Sequence, residues 1–168
     1  MTVWRLKVTG TPAPKGSMKC IGGRGPVKHQ LIEDDKTGDR KVWRERLTAA
    51  ARGLADRLPD RGEHGVIVGL LVLVERPASA PRRALPSTRS AGDLDKHARM
   101  TLDALDDADV FTDDSRVCFL ISAKAFADDG PPGAIVYVAP IGEDPRQMIT
   151  AIQAAAPALR GDEHLAGL

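Results

Sequence analysis

Spacing of apolar positions along the chain divides it into short elements. Residues 2–9, TVWRLKVT, alternate only roughly, with Val3, Leu6 and Val8 apolar, and predict an edge strand. Pro12 and Pro14 break the run that follows. Residues 27–33 predict a second strand. Asp39 caps a predicted helix reaching about Leu58, whose apolar face is Trp43, Leu47, Ala50, Leu54 and Leu58. The run GVIVGLLVLV at 65–74 is almost continuously apolar and rich in branched residues, the pattern of a central strand buried on both faces. Residues 76–91 hold Pro77, Pro81 and Pro86 and cannot form a helix. Leu94, Ala98, Leu102 and Leu105 then recur at steps of four, four and three, which predicts a helix. Val117, Phe119 and Ile121 alternate as in a half-buried strand. A turn at 125–133, a last strand at 134–139, a helix starting on Pro145 and reaching about Ala156, and a frayed end at 157–168 complete the expectation.

These elements predict an α+β fold, a small mixed sheet covered by helices in one domain over residues 1–142. Residues 143–168 add a terminal helix and tail. The length of 168 residues suits one domain with a real core. A hydrophobic fraction of 42% and a charged fraction of 28% are ordinary for a soluble protein. Aromatic residues make up only 4%, so base stacking is not the main means of recognition. Cys20 and Cys118 lack CxxC spacing and read as free thiols of a reducing cytoplasm. The absence of a long apolar run or signal peptide points the same way and away from membranes.

The net charge of +1 conceals a division. Residues 1–50 carry 11 Lys/Arg against 5 Asp/Glu, residues 51–100 carry 9 against 6, and residues 101–168 carry 4 against 12. A basic front half before an acidic block suits a phosphate-binding surface around a metal site, although scattered solvated charges give the same counts.

Candidate chemistry concentrates between Ala91 and Lys124. Asp93 and Asp95 sit where a loop becomes a helix, and Asp113 and Asp114 where the chain enters a strand. If that helix and strand pack as neighbours, the two pairs lie at element ends and can meet. Converging carboxylates repel unless a cation lies between them. Hard oxygen donors suit Mg²⁺, with Mn²⁺ as a substitute. Each pair also has a structural explanation: Asp93 as an N-cap, Asp95 in a favourable first turn, and Asp113–Asp114 as a turn before a strand. Lys96, Arg99 and Lys124 nearby tip the balance towards phosphate chemistry. The four histidines, His29, His64, His97 and His164, share no ligand spacing, and His97 reads as a surface helix residue.

Asp-Leu-Asp-Lys at 93–96, Leu-Asp-Ala-Leu at 102–105, Asp-Asp-Ser-Arg-Val at 113–117 and the later Lys124 together resemble the RusA type of Holliday-junction resolvase. Gly10-Thr11-Pro12-Ala13-Pro14-Lys15 is similar to that family's G-x-P-x-P-K opening. The resemblance spans roughly residues 3–140. It implies a homodimeric, Mg²⁺-dependent endonuclease cutting four-way DNA junctions. The family's metal-binding aspartates fall on Asp93, Asp95 and Asp114, with Asp113 as the neighbouring acid. Lys96 stands where Asn is common, and Arg99 where the family has a catalytic lysine. Arginine can neutralise phosphate charge but cannot give up its proton near neutral pH.

The expected DNA-binding cations are Lys15, Lys19, Arg24 and Lys28 in a glycine-rich loop, and Arg76, Arg82, Arg83 and Arg89 in the proline-rich connector. Arg40, Lys41, Arg44 and Arg46 on the first helix add to them. No Walker motif is present. The expected function is a structure-selective endonuclease resolving Holliday junctions. Two other readings stay open: a metal-dependent nuclease on flaps, forks or single strands, and a non-enzymatic junction or replication-accessory binder.

Overall fold

The computed structural model describes residues 3–16, 18–20, 31–33, 37–57 and 65–141. Its centre is β4 (Gly65–Val74), the apolar run of the sequence. β4 pairs in antiparallel fashion with β6 (Gly133–Ile141), which in turn pairs with β1 (Trp4–Thr9). On its other side β4 pairs in parallel with β5 (Val117–Phe126). The sheet is therefore mixed, in the order β1-β6-β4-β5, and β1 is an edge strand as the sequence predicts. Residues 18–20 and 31–33 form a separate antiparallel pair, β2 (Met18–Cys20) and β3 (Leu31–Glu33). The sequence pattern predicts only the second of these.

A parallel pair needs a crossover between its strands. Here the crossover is the connector 75–93 followed by α2 (Leu94–Asp106), so β4, α2 and β5 make a βαβ unit. α1 (Asp39–Ala55) lies beside α2. Side chains of both helices share one core with Leu6 and Val8 of β1, Val66, Val68, Leu70 and Val72 of β4, and Val136 and Val138 of β6. Both helices therefore cover the same face of the sheet. The opposite face carries a smaller cluster of Ile67, Ala139 and Ile141, with Phe119 against it.

Several boundaries differ from the pattern-based expectation. α1 ends at Ala55, Leu58 lies outside the described residues, and Gly38 rather than Asp39 is the cap. Its buried stripe is Trp43, Leu47, Thr48, Ala51, Leu54 and Ala55, while Ala50 faces solvent. β5 runs on to Phe126, past the expected turn at Ala125, and β6 is longer than predicted at both ends. In α2 the buried stripe is His97, Ala98, Met100, Thr101, Ala104 and Leu105, leaving Leu94 and Leu102 at its margins. The apolar spacing had the right period, but its centre lies about one residue from where leucine placement suggested. The expected helix from Pro145 and the tail to Leu168 lie outside the described residues.

Val110 and Phe111 plug the core where the chain leaves α2, and both are almost fully buried. Truncating Phe111 leaves an aromatic-sized void that a packed sheet-helix interface cannot close. Phe111→Ala should cost about 3–5 kcal/mol. Leu85→Ala, at a position 73% exposed in the connector, should stay within about 0.5 kcal/mol. Chemical denaturation of the two variants beside the wild type checks both; similar midpoints would contradict this account of the core.

Candidate functional site

In a βαβ unit the helix begins at the carboxyl ends of the two strands and returns to their amino ends. Crevices outside strand carboxyl ends are where open α/β sheets hold ligands. Asp93 lies at this end, directly before α2. It occupies the N-cap position, yet its side chain makes no capping hydrogen bond. Its carboxylate instead receives the Lys96 ammonium at 2.8 Å and is 60% exposed. The N-cap explanation therefore accounts for where Asp93 sits and not for what its carboxylate does. The hydrogen bond and charge of Lys96 hold this carboxyl below the usual carboxylate range, and the charges of Lys124 and Arg89 push the same way against a small loss of solvent. Asp95 follows in the exposed first turn of the helix, and Arg99 is exposed one turn later.

Lys124 reaches this end from β5. Its register partner is Val72, near the end of β4, and its ammonium donates to the Gly92 carbonyl. The opening segment is braced against the same place. The Lys15 amide donates to the Lys96 carbonyl at 3.1 Å, and the Lys15 ammonium pairs with Asp103 one face along α2. The Gly10–Lys15 stretch thus belongs to the site as a structural support.

Asp113 and Asp114 are elsewhere. They precede β5 at its amino end, where Val117 pairs with Val66 near the start of β4. α2 has 13 residues, and at about 1.5 Å per residue that puts its two ends about 20 Å apart. The acids at 113 and 114 accordingly act on Asp106, in the last turn of α2. Its carboxyl is raised first by loss of solvent and then by the charges of Asp113, Asp114, Asp107 and Asp103. The expectation that both acidic pairs meet within one chain is corrected: a helix start neighbours the end of the following strand, not its beginning. Among the described residues no three or more acidic, histidine or cysteine side chains gather as a metal cage. Asp113 has a local task, accepting the Ser115 amide at 2.8 Å to cap a short 3₁₀ turn. That is the turn explanation given for it above, and hydrogen bonds from Ser115 lower its pKa.

The expected DNA cations sort into groups. Arg76 grips Asp128 with two nitrogens at 2.5 and 2.7 Å, donates to the Pro81 carbonyl at 2.6 Å and stacks 4.2 Å above the Phe126 ring. It fastens the connector to the β5–β6 turn. Lys15 is engaged with Asp103 as described. These two are structural in this arrangement. Arg82, Arg83 and Arg89 remain exposed along the connector, with Arg89 nearest Asp93 in effect. The Lys19 side chain, Arg24 and Lys28 lie outside the described residues. Arg44 pairs with Asp107 at 2.6 and 2.9 Å, so this α1 arginine is also tied to α2.

Composition and spacing missed one residue. His97 is buried, 2% exposed, on the inner face of α2, not on the surface. Its Nε2 lies 3.0 Å from the Ala91 carbonyl. Burial, helped by the Lys124 charge, lowers its pKa against the opposing pull of that carbonyl and of Asp93, so the ring is neutral at physiological pH. A histidine four residues after an N-cap faces back over the cap, which is the spacing that would have found it.

No protein-family model matches the chain, and no curated protein matches it. No helix among the described residues is long and apolar enough to cross a membrane.

Because Lys96 is the first cause of the lowered Asp93 pKa, Lys96→Met should raise the midpoint of the Asp93 carboxyl. A depressed folded pKa stabilises the fold above the unfolded value and loses that contribution as pH falls through the folded one. The charge coupling therefore operates at neutral pH and vanishes in acid. Carbon-detected NMR titration of the Asp93 carboxyl in both proteins measures it; an unchanged or lowered midpoint in the variant would refute the assignment.

Proposed function

We propose that the chain is a Mg²⁺-dependent, structure-selective endodeoxyribonuclease that resolves four-way DNA junctions as a homodimer. The observation that carries this reading is the Asp93 carboxylate: ionised, exposed, released from capping, and set among Lys96, Lys124 and Arg89 at the carboxyl end of the parallel strands. Mg²⁺ is commonly held by one or two carboxylates plus substrate phosphate, keeping several waters, and Asp93 with Asp95 fits that demand without a protein cage. Bound there with DNA, the ion would supply an activated water and stabilise the leaving oxygen. Arg99 and Lys96 offset charge building on the phosphate, and Arg82, Arg83 and Arg89 draw the backbone towards Asp93.

The RusA resemblance includes Asp114 in the metal set, and one chain holds Asp114 at the far end of α2. A site using Asp93, Asp95 and Asp114 together therefore draws on two chains, which a homodimer supplies with two equivalent sites. Two sites also match the two equivalent phosphates of a symmetric junction. The other reading, a nuclease on flaps or forks, uses the same acids and differs only in the substrate that fills both halves.

Asp95→Asn should abolish cleavage of labelled junctions while retaining binding, since phosphate contacts elsewhere supply affinity. Asp114→Asn should behave alike. Mixing the two inactive proteins decides where the acids come from. If the site is shared, each heterodimer regains one intact set, and a cruciform plasmid is nicked. Silence after proven subunit exchange would place each site within one chain, and cutting by either variant alone at the wild-type rate would remove that residue from the metal set.

Arg99 offers a separate test. Arg99→Ala should slow cleavage about 10²–10³-fold, as loss of one transition-state donor does. Arg99→Lys should retain much of the rate because the role is electrostatic. Single-turnover rates on one junction compare them, and an unaffected alanine variant would transfer the role to Lys96.

A further inference from the structure

The loop that carries Asp93 is held at three successive carbonyls. Ala91 O faces His97 Nε2 at 3.0 Å. A carbonyl only accepts, so Nε2 bears the proton and donates. Gly92 O accepts the Lys124 ammonium from β5. Asp93 O accepts the backbone amide of His97 at 3.1 Å. His97 thus binds the chain on both sides of Gly92, once through its ring and once through its backbone.

Packing closes what the hydrogen bonds leave open. Gly92 has φ +72°, a left-handed conformation that side chains resist. A Cβ there would lie 2.8 Å from His97 Nε2 and 2.8 Å from Pro14 Cγ. The glycine is pressed between the histidine ring and the opening segment. Above this fixed backbone the Asp93 carboxylate stands 60% exposed. A main chain held at three carbonyls beneath an open carboxylate is what a preorganised ligand requires.

We propose that His97 is a positioning residue for the acidic site, its buried ring orienting Asp93 by holding the Ala91–Gly92 peptide against α2, with Lys124 as the matching anchor from β5. This rests on the reading of Asp93 as a metal ligand. It also gives Lys124 a different task from neutralising phosphate: its ammonium is directed at a main-chain carbonyl. His97 touches neither metal nor DNA. Its effect passes through the loop, as the hydrogen bonds behind metal-bound carboxylates commonly act.

The test compares wild type, His97→Gln, which keeps a donor, and His97→Met, which keeps bulk without one. Two properties are measured: Mn²⁺ affinity by calorimetry on the protein without DNA, and ¹⁵N order parameters of the Gly92 and Asp93 amides. His97→Met should weaken Mn²⁺ binding about 10–100-fold and lower both order parameters, while His97→Gln should stay near wild type in both. Unchanged affinity and order in a folded His97→Met protein would overturn the proposal. Should that variant fail to fold, Lys124→Met removes the other anchor, and wild-type order at Gly92 and Asp93 there would overturn the two-anchor account; the Lys124 charge also acts on Asp93, so order is the readout for that variant. If wild type binds no Mn²⁺ without the DNA phosphate that completes the coordination, the order parameters alone decide whether His97 fixes the loop.

Discussion

β4 must be paired on both sides. It is apolar on both faces and ten residues long, so leaving either edge open would expose backbone donors and acceptors beside a hydrophobic run. Its partners run in opposite directions, β6 antiparallel and β5 parallel. The antiparallel partner needs only a return of the chain. The parallel one needs a crossover, and α2 is that crossover. Everything about the candidate site follows from this requirement. α2 must start where β4 ends, its first turn must stand beside the end of β5, and Asp93 and Lys124 are neighbours for that reason although 31 positions separate them in the sequence.

The same geometry separates Asp93 from Asp114. A crossover helix carries the chain back the full height of the sheet, so residues just before it and residues just after it lie at opposite ends. No local adjustment of loops undoes a separation of about 20 Å, the length of a helix of this size. The acidic block around Asp103, Asp106, Asp107, Asp113 and Asp114 consequently builds up its own negative field, which adds to loss of solvent, the larger cause, in raising the Asp106 carboxyl. That field is partly countered by Lys15 and Arg44, which pair with Asp103 and Asp107. Such half-exposed pairs are each worth only about 0.2–1 kcal/mol. Their value here is directional: they tie the opening segment and α1 to α2.

Most of the fold is legible in the residue pattern because the pattern is burial. The run at 65–74 is apolar throughout and nearly all of it is buried, whereas in β5 a register shift after Val117 turns Val117 to the helix-covered core and Phe119 to the opposite face beside Ile67, so their alternation does not mark a single face. The stripe on α2 was harder to centre. Its buried residues include the small or polar His97, Ala98, Thr101 and Ala104 beside Met100 and Leu105, whereas Leu94 and Leu102 lie at the margins, so leucine positions alone do not mark its centre. The site was legible in composition and not in arrangement. Asp93 and Lys124 come to the same end of the sheet, but strand direction decides which element ends meet, and no residue in 107–116 states whether the next strand will run parallel or antiparallel. Arg76 shows the same limit: a guanidinium in a basic connector reads as a phosphate contact until Asp128, fifty-two positions on, is found beneath it.

A histidine inside a helix this amphipathic would ordinarily be a cost. Burying an imidazole without partners removes hydrogen bonds to water that nothing replaces. His97 avoids that cost by reaching back to Ala91, and the loop accepts the bond because Gly92 can take a left-handed turn that brings the Ala91 carbonyl over the ring. The two features require each other. With any side chain at 92 the loop would be driven off both the ring and Pro14. Without a donor at 97 the Ala91 carbonyl would lose its partner in a place shielded from water. A loop constrained in this reciprocal way has few alternative conformations, so the direction of the Asp93 backbone is settled before any ligand arrives. Whatever that carboxylate binds, the cost of ordering the main chain beneath it falls on folding rather than on binding.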